Sequence, residues 1–300
     1  MSAALLFAPL LAIAGGGDPW ADAVHSFQPG PSSGFGQNSM PAVVLGPPEG
    51  AGAVEGSTDT LSLGHGGVIT LVFRDNVVFD GPGDDLVIFE NPFHSGSESG
   101  PVFAEYAFVE LSRDGRRYVA VAYDPAAVSG LAGQEPVYAN SDNGIDPLAS
   151  EAGGDRFDIG ALGLDMVRYL RITDAGDIVD DPGNHVPAGD KGGFDLDAVA
   201  AINSSKPALV KGRVLAGATP VAGARVRLRE RGGGRCGQAK SGRLRCRRRR
   251  TRGDGSFRFR RVLPAGEVVL RARKWGLGSA RTTVALSLDG LRATVELHLD

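Results

Sequence analysis

The sequence predicts an all-β chain arranged as two tandem β-sandwiches, on three observations. Short runs of β-branched and aromatic residues recur between clusters of Gly, Pro, Asn and Asp, the signature of strands bounded by turns. The 300 residues include 44 Gly and 18 Pro, which favours many turns and short strands over long helices. Charge divides the chain: residues 1–205 hold 8 Lys+Arg against 29 Asp+Glu, a net of −21, and residues 206–300 hold 24 against 6, a net of +18. Opposed halves argue for separate domains, and for electrostatic contact between them or with other surfaces. With 42% hydrophobic residues the chain can bury a core in each.

Residues 1–17 read as a signal peptide. Their apolar stretch of about a dozen residues ends in small ones, with Ala12-Ile13-Ala14 as the cleavage site, and falls short of the ~20 residues of a membrane span. No Lys or Arg lies near Met1, a departure from the usual signal, and a buried N-terminal strand is the alternative. No cysteine follows the run, so no lipoprotein anchor is expected, and no later segment suits a transmembrane span. The expected location is exported: periplasmic, outer surface or extracellular.

Residues 18–204 form the acidic domain. Its entry is irregular, with Trp20, Val24 and Phe27, and Ala42-Val43-Val44-Leu45 is expected as a short edge strand. Leu61-Ser62-Leu63 alternates, Gly64-His65-Gly66-Gly67 turns, and Val68-Ile69-Thr70-Leu71-Val72-Phe73 is a β-branched strand. Asp75-Asn76 turns into Val77-Val78-Phe79. The organising stretch is DGPGDDLVIFENPF, residues 80–93, where Leu86-Val87-Ile88-Phe89 is apolar throughout and Pro92 forbids continuation of a central strand. Tyr106–Ser112 and Tyr118–Ala122 flank an Asp-Gly connection and predict a hairpin. Residues 124–154 show no period; a loop that long is functional or packed as an excursion. Val167-Arg168-Tyr169-Leu170-Arg171-Ile172-Thr173 is the next strand, and Phe194-Asp195-Leu196-Asp197-Ala198-Val199-Ala200 closes the domain after an acidic loop.

In order, Trp20-Ala21-Asp22 with Pro29-Gly30, GGVITLVF, DGPGDDLVIFENPF, FVELSRDG, VRYLRITDAGD and GFDLDAVA resemble a family of secreted bacterial cell-surface proteins often seen with sorting tails of the PEP-CTERM kind. The resemblance covers residues 18–203 and implies a β-sandwich at the cell surface, with no activity attached. The chain lacks the apolar tail of the sorted members, so anchoring by one is not expected.

Residues 205–207 form a linker, and residues 208–300 a basic domain. In Ala224-Arg225-Val226-Arg227-Leu228-Arg229 and Phe257-Arg258-Phe259-Arg260, apolar residues alternate with arginine, which turns the apolar ones inward. Val295, Leu297 and Leu299 alternate with Thr294, Glu296 and His298 in the same way. Val210-Lys211-Gly212-Arg213-Val214, Pro220-Val221-Ala222-Gly223-Ala224-Arg225-Val226 and Asp254-Gly255-Ser256-Phe257 resemble the carboxypeptidase regulatory-like domain. That resemblance implies a small transthyretin-like sandwich, an accessory module with no chemistry of its own. An arginine-rich loop, residues 232–250, departs from the pattern.

Candidate sites follow from residue chemistry. Ca²⁺ takes six to eight oxygen ligands. The carboxylates Asp84, Asp85 and Glu90 at the ends of the central strand, Asp174 and Asp177 in the acidic loop, and Asp195 and Asp197 near the last strand are its candidates, against solvated surface acids as the plain alternative. Asp195 and Asp197 are two apart and are expected on one side of a strand. No EF-hand spacing occurs, and His25, His65, His94, His185 and His298 never fall at H-E-x-x-H spacing. Gly96-Ser97-Glu98-Ser99-Gly100 puts Glu98 where a nucleophile elbow needs serine. There is no P-loop and no dinucleotide fingerprint. Cys236 and Cys246, the two cysteines, are expected to close a disulfide if exported.

Arg243, Arg245, Arg247, Arg248, Arg249 and Arg250 form a cluster suited to phosphate or carboxylate polymers. No aromatic residue interleaves with it, so specific nucleic-acid binding is not expected, and acidic polysaccharide, lipid headgroups or the acidic domain are the better partners. A solvated loop is the alternative. Arg252-Gly253-Asp254 spells an adhesion tripeptide, but Asp254-Gly255 is also a turn. The reading is a non-catalytic exported surface protein that binds or adheres, with carbohydrate as the leading ligand by analogy of architecture alone. An exported glycan-acting enzyme, or an accessory part of one, and a purely structural surface protein are the alternatives.

Overall fold

A computed structural model describes residues 17–124, 127–176, 192–230, 247–262, 266–286 and 292–300. The described chain is all-β, in several mostly antiparallel sheets with three short 3-10 turns. The principal strands of the acidic part are β1 (Ala23–Gln28), β2 (Val68–Val72), β3 (Leu86–Phe89), β4 (Ala107–Ser112), β5 (Tyr169–Asp174) and β6 (Ala198–Ala201). One sheet runs β1–β2–β5–β4 and is extended by Leu131–Ala132. Register follows side-chain period: Ile172 lies opposite Ile69 and Val109, and Leu170 opposite Leu71 and Leu111. These residues are buried in one core with Leu86, Ile88 and Val199. On the opposite face Arg171 grips Glu110 through two hydrogen bonds of 2.6 and 2.7 Å, and its guanidinium lies 4.1 Å from the centre of the Tyr118 ring.

β3 sits between β6 and Asp155–Phe157 and is buried on both faces. Leu86 and Ile88 enter the main core, whereas Val87 and Phe89 enter a second cluster with Val137, Ala139, Ala152, Ala198 and Ala200. Burial on both faces is why this strand has no polar alternation. Within the aperiodic segment, residues 136–154 supply the outer cover. It lays Val137, Ala139 and Ala152 on the strand, while Tyr138 and Gly154 donate backbone hydrogen bonds to Ala152 and Pro136. Gly154 has φ 75°, and a Cβ there would meet Phe89 Cδ1 at 2.6 Å. Glycine is therefore required for the cover to close.

The predicted hairpin forms, Ala107–Ser112 pairing with Val119–Ala120. Its turn is fixed by Ser112 Oγ, which accepts from the Gly115 amide at 3.0 Å, and by Asp114 Oδ1, which accepts from the Arg116 amide at 3.0 Å. Two expectations are corrected. Ala42–Val44 is a 3-10 turn and not an edge strand: Pro41 can donate no ladder hydrogen bond, its carbonyl instead accepts from the Val44 amide, and the turn buries Val43 and Val44. Asp195 and Asp197 do not share a strand. Asp195–Leu196 pairs with Leu61–Ser62, β6 pairs with β3, and Asp197 occupies the break between them.

The basic part contains β7 (Ala208–Ala216), β8 (Arg225–Glu230), β9 (Arg247–Arg250), β10 (Ser256–Val262), β11 (Gly266–Lys274), β12 (Gly278–Leu286) and β13 (Arg292–His298). β7 lies between β10 and β13 in one sheet, with β13 parallel to it, and the second sheet runs β9–β8–β11–β12. Val210, Val214, Phe259 and Leu297 from the first sheet share one core with Val226, Leu228, Leu270 and Ala272 from the second. Among the described residues no strand of the acidic part pairs with one of the basic part. Arg247–Arg250, expected within a loop, is an edge strand whose four residues lie opposite Leu228, Arg227, Val226 and Arg225. Asp254-Gly255 makes the expected turn, with Asp254 Oδ1 accepting from the Ser256 amide at 3.0 Å.

Candidate anion-binding surface

The described candidate carboxylates fall into groups at the two ends of β3 and beyond it, and most hold backbone. Asp85, fully buried before β3, accepts from the Gly81 amide (2.8 Å) and Asn203 Nδ2 (2.7 Å) on Oδ1, and from the Ile159 amide (3.0 Å) on Oδ2. Burial pushes its carboxyl up despite these donors. Asp84 is exposed beside it, and Asp80 and Asp158 approach Asp85 with oxygens within 4.8 Å of one another. Burial, then the neighbouring Asp158 and Asp165, pushes Asp80 up. Asp158 Oδ1 already accepts from the Gly160 amide at 2.7 Å. The oxygen donors of this trio suit a hard cation, but two of its members are engaged by amides, and nothing in it selects Ca²⁺.

Glu90 lies at the other end of β3, away from Asp85. Three successive amides, Gly193, Phe194 and Asp195, donate to Glu105 Oε1 (2.7 Å), Asp174 Oδ2 (2.8 Å) and Glu90 Oε1 (3.2 Å). All three acids are buried, and Glu90 Oε2 has no hydrogen-bond partner among the described residues. Burial, then the Asp195 and Glu105 charges, pushes Glu90 well above the usual carboxylate range. Asp197 accepts from the Glu49 amide at 2.9 Å and is raised by burial, then by Asp59 and Glu49. Asp177 lies outside the described residues.

Sequence reasoning missed Asp80, Asp158, Glu105 and Asp155, because each becomes distinctive only through burial or a distant neighbour. Asp155 borders a recess of about 430 Å³ with Glu135 and Ser150. Burial raises it to about 7. Its Oδ2 is turned to the Gly133 and Gln134 amides at 2.7 and 3.1 Å, which fits a clamp on the segment covering β3.

The basic part presents a groove of about 730 Å³. Eight Lys and Arg residues line it against two acids, Asp254 and Glu296. Lys211 of β7 and Arg258 of β10 stand directly opposite in the ladder, both exposed. Arg247 and Arg249 of β9 share register with the inward-facing Leu228 and Val226, so they mark the open edge of the sandwich with charge. Inward charge on an edge strand also discourages pairing with another chain. Arg247 donates to the Arg260 carbonyl and lies 5.8 Å from the centre of the Phe259 ring. Cys236, Cys246, Arg243 and Arg245 lie outside the described residues.

No helix among the described residues is long and apolar enough to cross a membrane. No family model and no curated protein matches the chain. Solved structures give weak likenesses, of which three are described. The dioxygenase domain of a dioxygenase carbohydrate-binding protein fusion from Streptomyces sp. SirexAA-E is 18% identical over 32% of this chain and 80% of its own, with a TM-score of 0.25. BcpA, the major pilin subunit of Bacillus cereus, is 11% identical over 78% of this chain and 64% of its own, with a TM-score of 0.24. The pilus 2b backbone protein of group B streptococcus is 12% identical over 82% and 95%, also at 0.24. Likenesses of this quality assign neither family nor function.

Proposed function

We propose that the chain is a non-catalytic, exported bacterial surface protein that binds a linear polyanion, an acidic polysaccharide foremost, in the groove of its basic part. The observation that carries this reading is the eight-to-two excess of cationic over acidic residues around one open groove. A groove tracks an extended chain, and cations spaced along it release counterions when that chain binds. The acidic part, residues 18–204, and the basic part, residues 208–300, are on this reading separate domains, the second a transthyretin-like module. Export follows from the apolar residues 1–17 and would favour a Cys236–Cys246 disulfide.

Titration with a carboxylated polysaccharide and a neutral glucan tests the groove. Binding is expected for the charged polymer alone, weakening steeply with salt, and K211Q/R258Q should weaken it and flatten the salt dependence. Equal binding of the neutral glucan, or none of either polymer, refutes the reading. Asp155 beside its recess favours a second reading, a glycan-acting enzyme, because a carboxyl near 7 can exchange protons at neutral pH. Turnover of a polysaccharide that D155N abolishes would establish that alternative. Calcium at Asp80, Asp85 and Asp158 would show as a Tm that falls on chelation, with D80N removing the effect.

A further inference from the structure

The second sheet of the basic part carries arginines in register. Arg248, Arg227, Arg271 and Arg281 lie directly opposite one another across β9, β8, β11 and β12. The next row holds Arg250, Arg225 and Arg273. The buried Val226, Leu228, Leu270 and Ala272 alternate with them, so all seven belong to the outer face. Arg227 is half-buried and the other six are exposed, and none is ion-paired among the described residues. Like charges directly opposite in a ladder destabilise it. Two adjacent rows of arginine therefore favour any fixed array of negative charge laid against them.

The shape of the array selects the partner. Neighbours within a row are about 4.8 Å apart and the rows about 7 Å apart, so the charges form a patch in two dimensions. A single linear polyanion can follow one row. A plane of headgroups meets both at once. The turn directly after Arg273 adds an apolar element: Trp275 is 91% exposed and Leu277 44%. Tryptophan beside cationic side chains is the composition of a membrane interface, where the ring sits at headgroup depth and the cations meet anionic lipid.

We propose that the outer face of β9–β8–β11–β12 docks on an anionic lipid bilayer, with Trp275 inserted at the headgroup level. Lys211 and Arg258, which carry the test of the polysaccharide reading, lie on the other sheet and outside the two rows, whereas Arg250 borders both the groove and the array, so the variants are placed away from it. The full chain should sediment with vesicles of phosphatidylcholine and phosphatidylglycerol at low salt, and not with phosphatidylcholine alone. Trp275 emission should shift to the blue on binding, a shift that W275A removes; the other tryptophan, Trp20, packs against the core. R271Q/R281Q should weaken vesicle binding about 30-fold, and K211Q/R258Q should leave it unchanged. Circular dichroism of each variant checks that the exposed changes preserve the fold. Failure to sediment with the anionic vesicles, or sedimentation indifferent to R271Q/R281Q, overturns the proposal. So does a soluble polyanion that needs Arg271 and Arg281 while the vesicles do not bind.

Discussion

Asp155, Glu90 and Asp197 hold protons above the usual carboxylate range because burial disfavours their ionised form more than the amides beside them favour it. The direction for stability follows. Each folded-state pKa lies above its unfolded value, so between the two the folded chain binds the proton and the unfolded chain has lost it. Their contribution is greatest below the unfolded carboxylate range, about pH 4, and is lost as pH rises through the folded value, about 7 for Asp155. Melting should therefore give a Tm that declines from mildly acidic to neutral pH, and D155N should flatten part of that decline. A Tm that rises over the same interval would contradict the assignment. In the sequence Asp155 is one member of an acidic crowd, while Glu90 and Asp197 are marked by position and not by burial. Asp85 and Glu90 stand out at the ends of β3, Asp174 in the acidic loop and Asp197 near the last strand, but the amides they hold belong to residues as remote as Glu49, Ile159 and Phe194.

At the scale of the element, β3 and its cover give a direct packing test. Phe89 is fully buried in the second cluster, so Phe89→Ala should cost about 3–5 kcal/mol in urea unfolding. Gly154→Ala should also destabilise, through its positive φ and the 2.6 Å approach to the same ring, and a neutral result would remove the cover from the core. The strands themselves were legible: Val68–Val72, Leu86–Phe89, Ala107–Ser112 and the arginine-alternating strands all carry their own period or β-branched content. The cover was not, since Val137, Ala139 and Ala152 follow no repeat and are meaningful only against Val87 and Phe89. The arginines 247–250 were legible as charge but not as a strand, because their partners Arg225, Val226, Arg227 and Leu228 lie across segment 231–246.

At the scale of the whole molecule, the separate ladders predict two unfolding events. Calorimetry of Phe89→Ala should lower one transition and leave the other in place, and Phe259→Ala should do the reverse; a single transition moved by both would make the chain one cooperative unit. The change in charge sign near residue 205 marks the boundary where the ladders also separate. The parallel pairing of β7 with β13 has a consequence for biogenesis. The basic part joins its opening strand to its closing one, from Leu209 beside Arg292 to Leu215 beside His298. Until synthesis has passed His298 the flank of β7 stays bare, so the strand made first in this half waits for the one made last before its sheet is complete.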